Sequence, residues 1–139
     1  MGGSVSRLYI DTCCIIYMIE AASPFHATVA QRLLKHSATP GAMLVTSRLA
    51  RLECRTKPLR DNDAALLARY ETFFGAQRFQ LLDLSPAVIE RATDLRAKYG
   101  FKTPDALHLA TAILESVDVV LTGDRDLGKC TEVPIEVIT

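Results

Sequence analysis

Four carboxylates in this sequence stand where chemistry is commonly done in folds that alternate strands and helices. Asp11 directly follows the short apolar run Leu8-Tyr9-Ile10 in RLYIDTCC. Glu53 lies in SRLARLEC, Asp105 opens TPDALHLATAILES, and Asp124 follows the apolar strand pattern of DVVLTGDRDL, with Asp126 two residues on. Each has an ordinary local explanation. Asp11 could cap the helix that follows, Asp105 favours the positive end of a helix dipole, Gly123-Asp124 is common turn chemistry, and Asp126 could cap a short final helix. As a set they say more. Clustered carboxylates raise one another's pKa and call for a cation. With few histidines and no paired thiolates, that cation is hard, Mg²⁺ or Mn²⁺. Such ions activate water and stabilise the charge developed in phosphodiester cleavage.

Glu53 carries the argument beyond turns and caps. Arg48, Arg51 and Arg55 form a basic stripe on its helix, whereas Leu49, Leu52 and Glu53 fall together on an apolar face. An unpaired charge on an inward face costs several kcal/mol, as an order of magnitude. Glu53 therefore needs a partner, either an arginine or a metal or catalytic site. His108, one turn on from Asp105, is within reach of a hydrogen bond to it and reads as structural.

These residues must be positioned by the elements around them. Strand-like runs recur at 7–10, 42–46, 79–84, 118–122 and 134–138. Helical patterns fill the gaps: 12–20, SPFHATVAQRLLKH with a Ser-Pro start, SRLARLEC over 47–54, DNDAALLARYETFFG, SPAVIERATDLRAKYG and 103–116. Val88, Ile89, Ala92 and Leu95 share a face in the fifth, and Thr103 is the expected N-cap of the sixth. Strands alternating with helices predict one α/β domain over residues 1–139 with a mostly parallel sheet of about five strands. In such sheets ligands gather outside the carboxyl ends of the strands, where these acidic residues fall.

Composition narrows the function classes. Hydrophobic residues make up 49% of 139 residues, enough for a core and too many for a disordered chain. Sixteen basic and sixteen acidic residues cancel, which excludes nucleic-acid binding through global charge but not through a local patch. The densest basic run is Arg48, Arg51, Arg55, Lys57 and Arg60. It reads either as a solvated helix face or as a phosphate-contact surface, and Lys102 and Arg125 flank Asp105 and Asp124. Cys13, Cys14, Cys54 and Cys130 form no C-x-x-C pair, and free thiols in a reducing cytosol are expected. No apolar run is long enough to span a membrane. The opening MGGSVS carries no signal-peptide pattern and reads as a loose end.

The ordered pieces YIDTCCIIYMIE, TSRLARLE, KTPDALHLATAI and VVLTGDRDL together resemble the PIN-domain nucleases, most closely the VapC-type toxins of bacterial toxin–antitoxin pairs. The resemblance covers nearly the whole chain. It implies a three-layer α/β/α sandwich and an acidic site at Asp11, Glu53, Asp105 and Asp124. Asp11 and Asp105 would be the main Mg²⁺ ligands, with Mn²⁺ an acceptable substitute, and Glu53 and Asp124 would complete the pocket. Thr12 would orient Asp11 through its hydroxyl, and Asp126 is a weaker addition. The implied activity is endoribonuclease cleavage of RNA by metal-activated water, in the cytoplasm, restrained by a cognate antitoxin, in a chain that forms homodimers. The basic run could then dock an acidic antitoxin segment as well as RNA. The alternative is a PIN-like module that binds RNA or protein without cutting. Two positions depart from the family pattern. Cys13 stands where a serine or small apolar residue is frequent, and Gly123 where a polar residue, commonly asparagine, is frequent. Cys13 and Cys14 read as packing residues between strand and helix.

Overall fold

The computed structural model describes residues 6–21 and 24–139. The reading of residues 1–5 as a loose end, and the Ser23 half of the Ser-Pro start, fall outside them. The chain runs β1 (Arg7–Ile10), α1 (Thr12–Glu20), α2 (His26–Ser37), β2 (Met43–Ser47), α3 (Arg48–Arg60), α4 (Ala64–Phe74) and β3 (Phe79–Leu82). It continues with α5 (Pro86–Tyr99), α6 (Thr103–Leu114), β4 (Val119–Thr122), a 3₁₀ turn (Arg125–Lys129) and β5 (Ile135–Val137). The five strands pair in the order β3-β2-β1-β4-β5, every pair parallel.

That order places the functional edge. From β1 the chain moves outward to β2 and β3. It then crosses back through α5 and α6 to β4, on the other side of β1. The carboxyl ends of β1 and β4 are therefore the topological switch point, where connections diverge and a crevice opens. Asp11 ends β1 there, and its backbone N–H continues the ladder to the Leu121 carbonyl at 3.2 Å.

Alternation along the strands builds the two faces. Tyr9, Val45 and Val120 point to one side and pack with Val88, Leu95 and Leu109 of α5 and α6. Leu8, Ile10 and Leu121 point to the other and pack with Ile15, Val29, Ala50, Tyr70 and Phe74 of α1 to α4. Helices on both faces of a parallel sheet make the expected sandwich. Helix α6 is the most deeply set, with Ala106, His108, Leu109, Ala110, Thr111 and Ala112 buried. Among the described residues no helix is long and apolar enough to cross a membrane.

Local signals explain most element ends. Ser85 caps α5 by accepting from the Val88 N–H, and Gly100 ends it in the left-handed region at φ 77°. Asp63 caps α4 through the Leu66 N–H. Helix α2 begins at His26 rather than at Pro24, after a turn at residues 24–25, and the His26 Nδ1–H donates to the Tyr17 carbonyl at 2.9 Å. Helix α6 is preceded by Lys102, not capped by Thr103. The chain is still extended at Lys102, and no side chain caps the helix there.

Two face assignments change. The buried residues of α3 are Ala50, Cys54 and Pro58, spaced four apart, so Leu52 points outward and is 61% exposed. Ile89 of α5 is likewise exposed, since Val88, Ala92 and Leu95 suffice to fill its contact with α6.

Leu109 lies at the centre of the α6 packing with no solvent exposure. Leu109→Ala should cost about 2–5 kcal/mol, as buried leucine truncations do. Urea unfolding should show a lower midpoint with an unchanged slope; a midpoint within error of the parent would contradict the placement.

Candidate functional site

Asp11 is a buried polar side chain, 6% exposed, and both of its oxygens are occupied. Oδ1 accepts the Cys14 backbone N–H at 3.1 Å, as the N-cap of α1, and the Cys13 thiol at 3.0 Å. Oδ2 accepts the Thr122 hydroxyl, from the last residue of β4. The Thr122 oxygen in turn accepts the Asp124 N–H at 3.0 Å, so a hydrogen-bond chain links Asp124, Thr122 and Asp11 across the switch point. Asp124 caps the 3₁₀ turn by accepting from the Asp126 N–H at 2.9 Å. Asp126, expected to cap this turn, instead sits inside it and pairs with Lys129 at 3.0 Å on the exposed side.

Glu53 has neither an arginine nor a bare environment. Its Oε1 accepts the Thr12 hydroxyl at 2.6 Å and His108 Nε2 at 3.0 Å. His108 Nδ1 lies 2.6 Å from the Tyr9 hydroxyl. Burial holds the Tyr9 phenol protonated by pushing its pKa up, so the phenol donates to Nδ1 and the imidazole proton sits on Nε2, facing Glu53. Burial alone would raise the Glu53 pKa. The hydrogen bonds from His108 and Thr12 outweigh it and hold the carboxyl below its ordinary value. Thr12 is thus engaged with Glu53, where an orienting contact with Asp11 was expected. His108 reaches Glu53 and not Asp105.

Asp105, in the first turn of α6, is half-buried and receives no side-chain hydrogen bond among the described residues. Its pKa is pushed up, first by burial and then by the negative charge of Asp124, with His108 opposing and Asp11 and Glu53 adding. The four carboxylates therefore lie close enough for the other three to act on Asp105, but among the described residues no three of them bring oxygens within 4.8 Å of one another; Asp105 has the least compensation of the four.

The basic run behaves differently. Arg51 forms a two-pronged pair with Glu71, at 2.9 and 3.1 Å, and Arg55 joins the same carboxylate at 3.0 Å. Arg48 pairs with Asp83 at 2.6 Å, Lys57 with Glu20 at 3.4 Å and Arg60 with Asp61 at 3.3 Å. Lys102 and Arg125, beside the acidic residues, are exposed and make no ion pair among the described residues.

A family model for the PIN domain matches residues 8–132. The chain belongs to the PIN-domain family. No curated protein matches the sequence. The PIN fold recurs in solved structures of low sequence identity. The VapBC2 complex from Rickettsia felis, bound to a promoter DNA fragment, aligns with a TM-score of 0.75 at 14% identity, covering 96% of this chain and 99% of that one. A toxin–antitoxin complex from Klebsiella pneumoniae gives 0.70 at 21% identity, covering 95% and 98%. Mycobacterium tuberculosis VapC20, described as a Sarcin-Ricin loop cleaving toxin, gives 0.70 at 17%, covering 91% and 98%.

Within this PIN domain the two departures from the family pattern turn out to be neighbours. The Gly123 N–H points at Cys13 Sγ at 3.4 Å. A Cβ at position 123 would come within 3.3 Å of that sulfur and 3.0 Å of the Tyr17 ring. The larger atom at 13 and the absent side chain at 123 are one steric unit. The sequence reading missed Thr122, which holds Asp11, because a threonine ending a buried strand looks like any β-branched strand residue.

The raised Asp105 pKa has a signed consequence. The folded protein holds the Asp105 proton more tightly than the unfolded chain. Its stabilising contribution is therefore present below the unfolded pKa and is lost as pH rises through the folded one. In cation-free buffer at neutral pH, Asp105→Asn should raise Tm by a few degrees. The gap should close at about pH 4 and below, where the unfolded carboxyl is also protonated. Mg²⁺ should raise the Tm of the parent more than that of the variant. A variant less stable than the parent at neutral pH would contradict the electrostatic account.

Proposed function

We propose that this chain is a divalent-cation-dependent endoribonuclease, the toxin of a toxin–antitoxin pair, working in the cytoplasm. The observation that supports it most is Asp105: a half-buried carboxyl that receives no side-chain hydrogen bond among the described residues and feels the charges of Asp124, Asp11 and Glu53. An all-oxygen donor set in that condition suits Mg²⁺, with Mn²⁺ as a substitute. Asp11 and Asp105 are the residues that would hold the ion, with Glu53 and Asp124 completing the pocket. When bound, the ion supplies a lowered pKa for attacking water and neutralises charge on the phosphate.

The chain's own residues do the positioning. Thr122, Cys14 and Cys13 fix the Asp11 carboxylate. Thr12 and His108 occupy Oε1 of Glu53, and Oε2 has no hydrogen-bond partner among the described residues. Glu53 is held ionised and is thus suited to take a proton from water. Asp126 belongs to the rim, through its pair with Lys129.

RNA would be gripped locally, since the net charge is zero. Lys102 and Arg125 are the free cations beside the pocket and suit phosphate contact. Arg48, Arg51 and Arg55 are ion-paired within the chain and would contribute by exchanging partners. Leu52 and Leu59, seven residues apart on α3, are 61% and 52% exposed. They suit apolar contact with a second copy in a homodimer or with an antitoxin. The structural neighbours include toxin–antitoxin complexes, which supports the antitoxin partner.

Cleavage of an RNA substrate by the purified chain should require Mg²⁺ or Mn²⁺, stop with chelator, and fall by about a hundredfold in Asp11→Asn. Equal cleavage by the variant would overturn the ligand assignment. Tight RNA binding by the parent with no cleavage at any divalent concentration would establish a non-cutting module instead.

Lys102→Ala combined with Arg125→Ala should raise KM several-fold, leave kcat nearly unchanged, and flatten the salt dependence. Arg51→Ala should leave KM unchanged and cost only about 0.2–1 kcal/mol of stability, the range for an exposed pair. The opposite division of effects would return the α3 arginines to the binding surface.

A further inference from the structure

Asp11, Cys13 and Cys14 bring one carboxylate oxygen and two sulfurs together at the start of α1, every pair within 4.8 Å. Cys13 Sγ is held from two sides, donating to Asp11 Oδ1 at 3.0 Å and accepting the Gly123 N–H at 3.4 Å. Gly123 leaves open the space that the sulfur occupies. Cys13 is half-buried at the pocket and Cys14 is buried beneath it. All four cysteines are free thiols, and Cys54 and Cys130 belong to no such cluster among the described residues.

This donor set differs in kind from the carboxylates around it. Two sulfurs and one oxygen select a soft or borderline cation such as Zn²⁺, whereas oxygen alone selects Mg²⁺. We propose that Asp11, Cys13 and Cys14 form a second cation site, for a thiophilic divalent ion of the Zn²⁺ class, which withdraws Asp11 from the all-oxygen centre. On binding, two metal–sulfur bonds replace two S–H bonds, both protons pass to solvent, and no oxidation state changes. Three protein ligands leave a fourth position for water, as in open zinc sites. Because Asp11 belongs to both sets, the oxygen taken by the thiophilic ion is lost to the all-oxygen centre, which weakens that centre. Binding stands on the donor set alone; only its effect on cleavage rests on the nuclease reading.

The test titrates the reduced, Mg²⁺-free full chain with Cd²⁺, read by the ultraviolet charge-transfer absorption of cadmium–thiolate bonds. One ion per chain should bind, Zn²⁺ should displace it, and a Cys54→Ala, Cys130→Ala double variant should keep the signal. Cys13→Ser should weaken binding by about tenfold or more, at least the loss seen when an outer partner of a metal site is removed. Cys13 is half-buried, so this variant avoids the folding risk of changing Cys14; circular dichroism checks that it folds. No absorption in the parent, or an undiminished signal in Cys13→Ser, would overturn the site without touching Mg²⁺-dependent cleavage. A chain that binds Cd²⁺ as described but does not cut RNA would keep the site and discard the nuclease reading.

Discussion

The Asp11 carboxylate, buried at the end of the central strand, sets the conditions for the rest of the site. A buried acid needs donors, and these come from two different segments, the first turn of α1 and the end of β4. Cys14 supplies a helix N-terminal amide, Cys13 a thiol, and Thr122 a hydroxyl from the neighbouring strand. The last is possible only because β1 and β4 are adjacent and parallel, with Ile10 opposite Leu121. The same Thr122 oxygen takes the Asp124 amide, so the requirement of one carboxylate fixes the backbone of another. The crossover that returns the chain to β1 is thus the topological fact from which the acidic cluster follows.

A second polar line supports Glu53 from the opposite face of the sheet. Tyr9 sits on the α5–α6 side, His108 on α6, and the line ends where Thr12 and Glu53 meet. Every member of it has a partner, which is the condition under which buried polar groups contribute to a unique structure. Asp105 is the exception. It lies one turn from His108 yet receives no hydrogen bond from it, and it bears the repulsion of the other three acids. Asp105 receives no side-chain hydrogen bond among the described residues, whereas Asp11 has donors on both oxygens and Glu53 has two on Oε1. On the nuclease reading proposed above, this is the cost expected of a residue kept for a ligand.

Much of this was legible in the sequence. The strands announced themselves as short apolar runs because both of their faces are covered. Ser85, Asp63 and Gly100 marked helix ends through chemistry that acts within a turn. The acidic positions could be found because strand ends and helix starts are local features. The partners of those acids could not. Thr12 was a neighbour of Asp11 in sequence, but its hydroxyl turns to Glu53, forty-one residues away. The face of α3 was misjudged because Leu52 suggested an inward stripe, whereas small residues, Ala50, Cys54 and Pro58, let that helix approach the sheet. Glu53 was rightly singled out as needing a partner, but the leucine that placed it inward points to solvent.

The arginines show why charge counting stops short of function. Read along the chain, α3 carries the basic face. In three dimensions Glu71 of α4 receives both Arg51 and Arg55, and Asp83, just beyond β3, receives Arg48. A helix face that looks like a free basic surface is thus engaged in ion pairs with neighbouring segments, while Arg48, Lys57 and Arg60 stay exposed. Lys102 and Arg125, two of the cations that form no ion pair among the described residues, are isolated in sequence and would not be noticed as a patch. Yet Lys102 directly precedes α6 and Arg125 directly follows Asp124, where on the ribonuclease reading a phosphate would meet the acidic residues. With no net charge to draw in a polyanion from a distance, such a site must rely on contacts within about a Debye length of the pocket. Free cations beside the carboxylates satisfy that requirement better than a denser row already bound to its own acids.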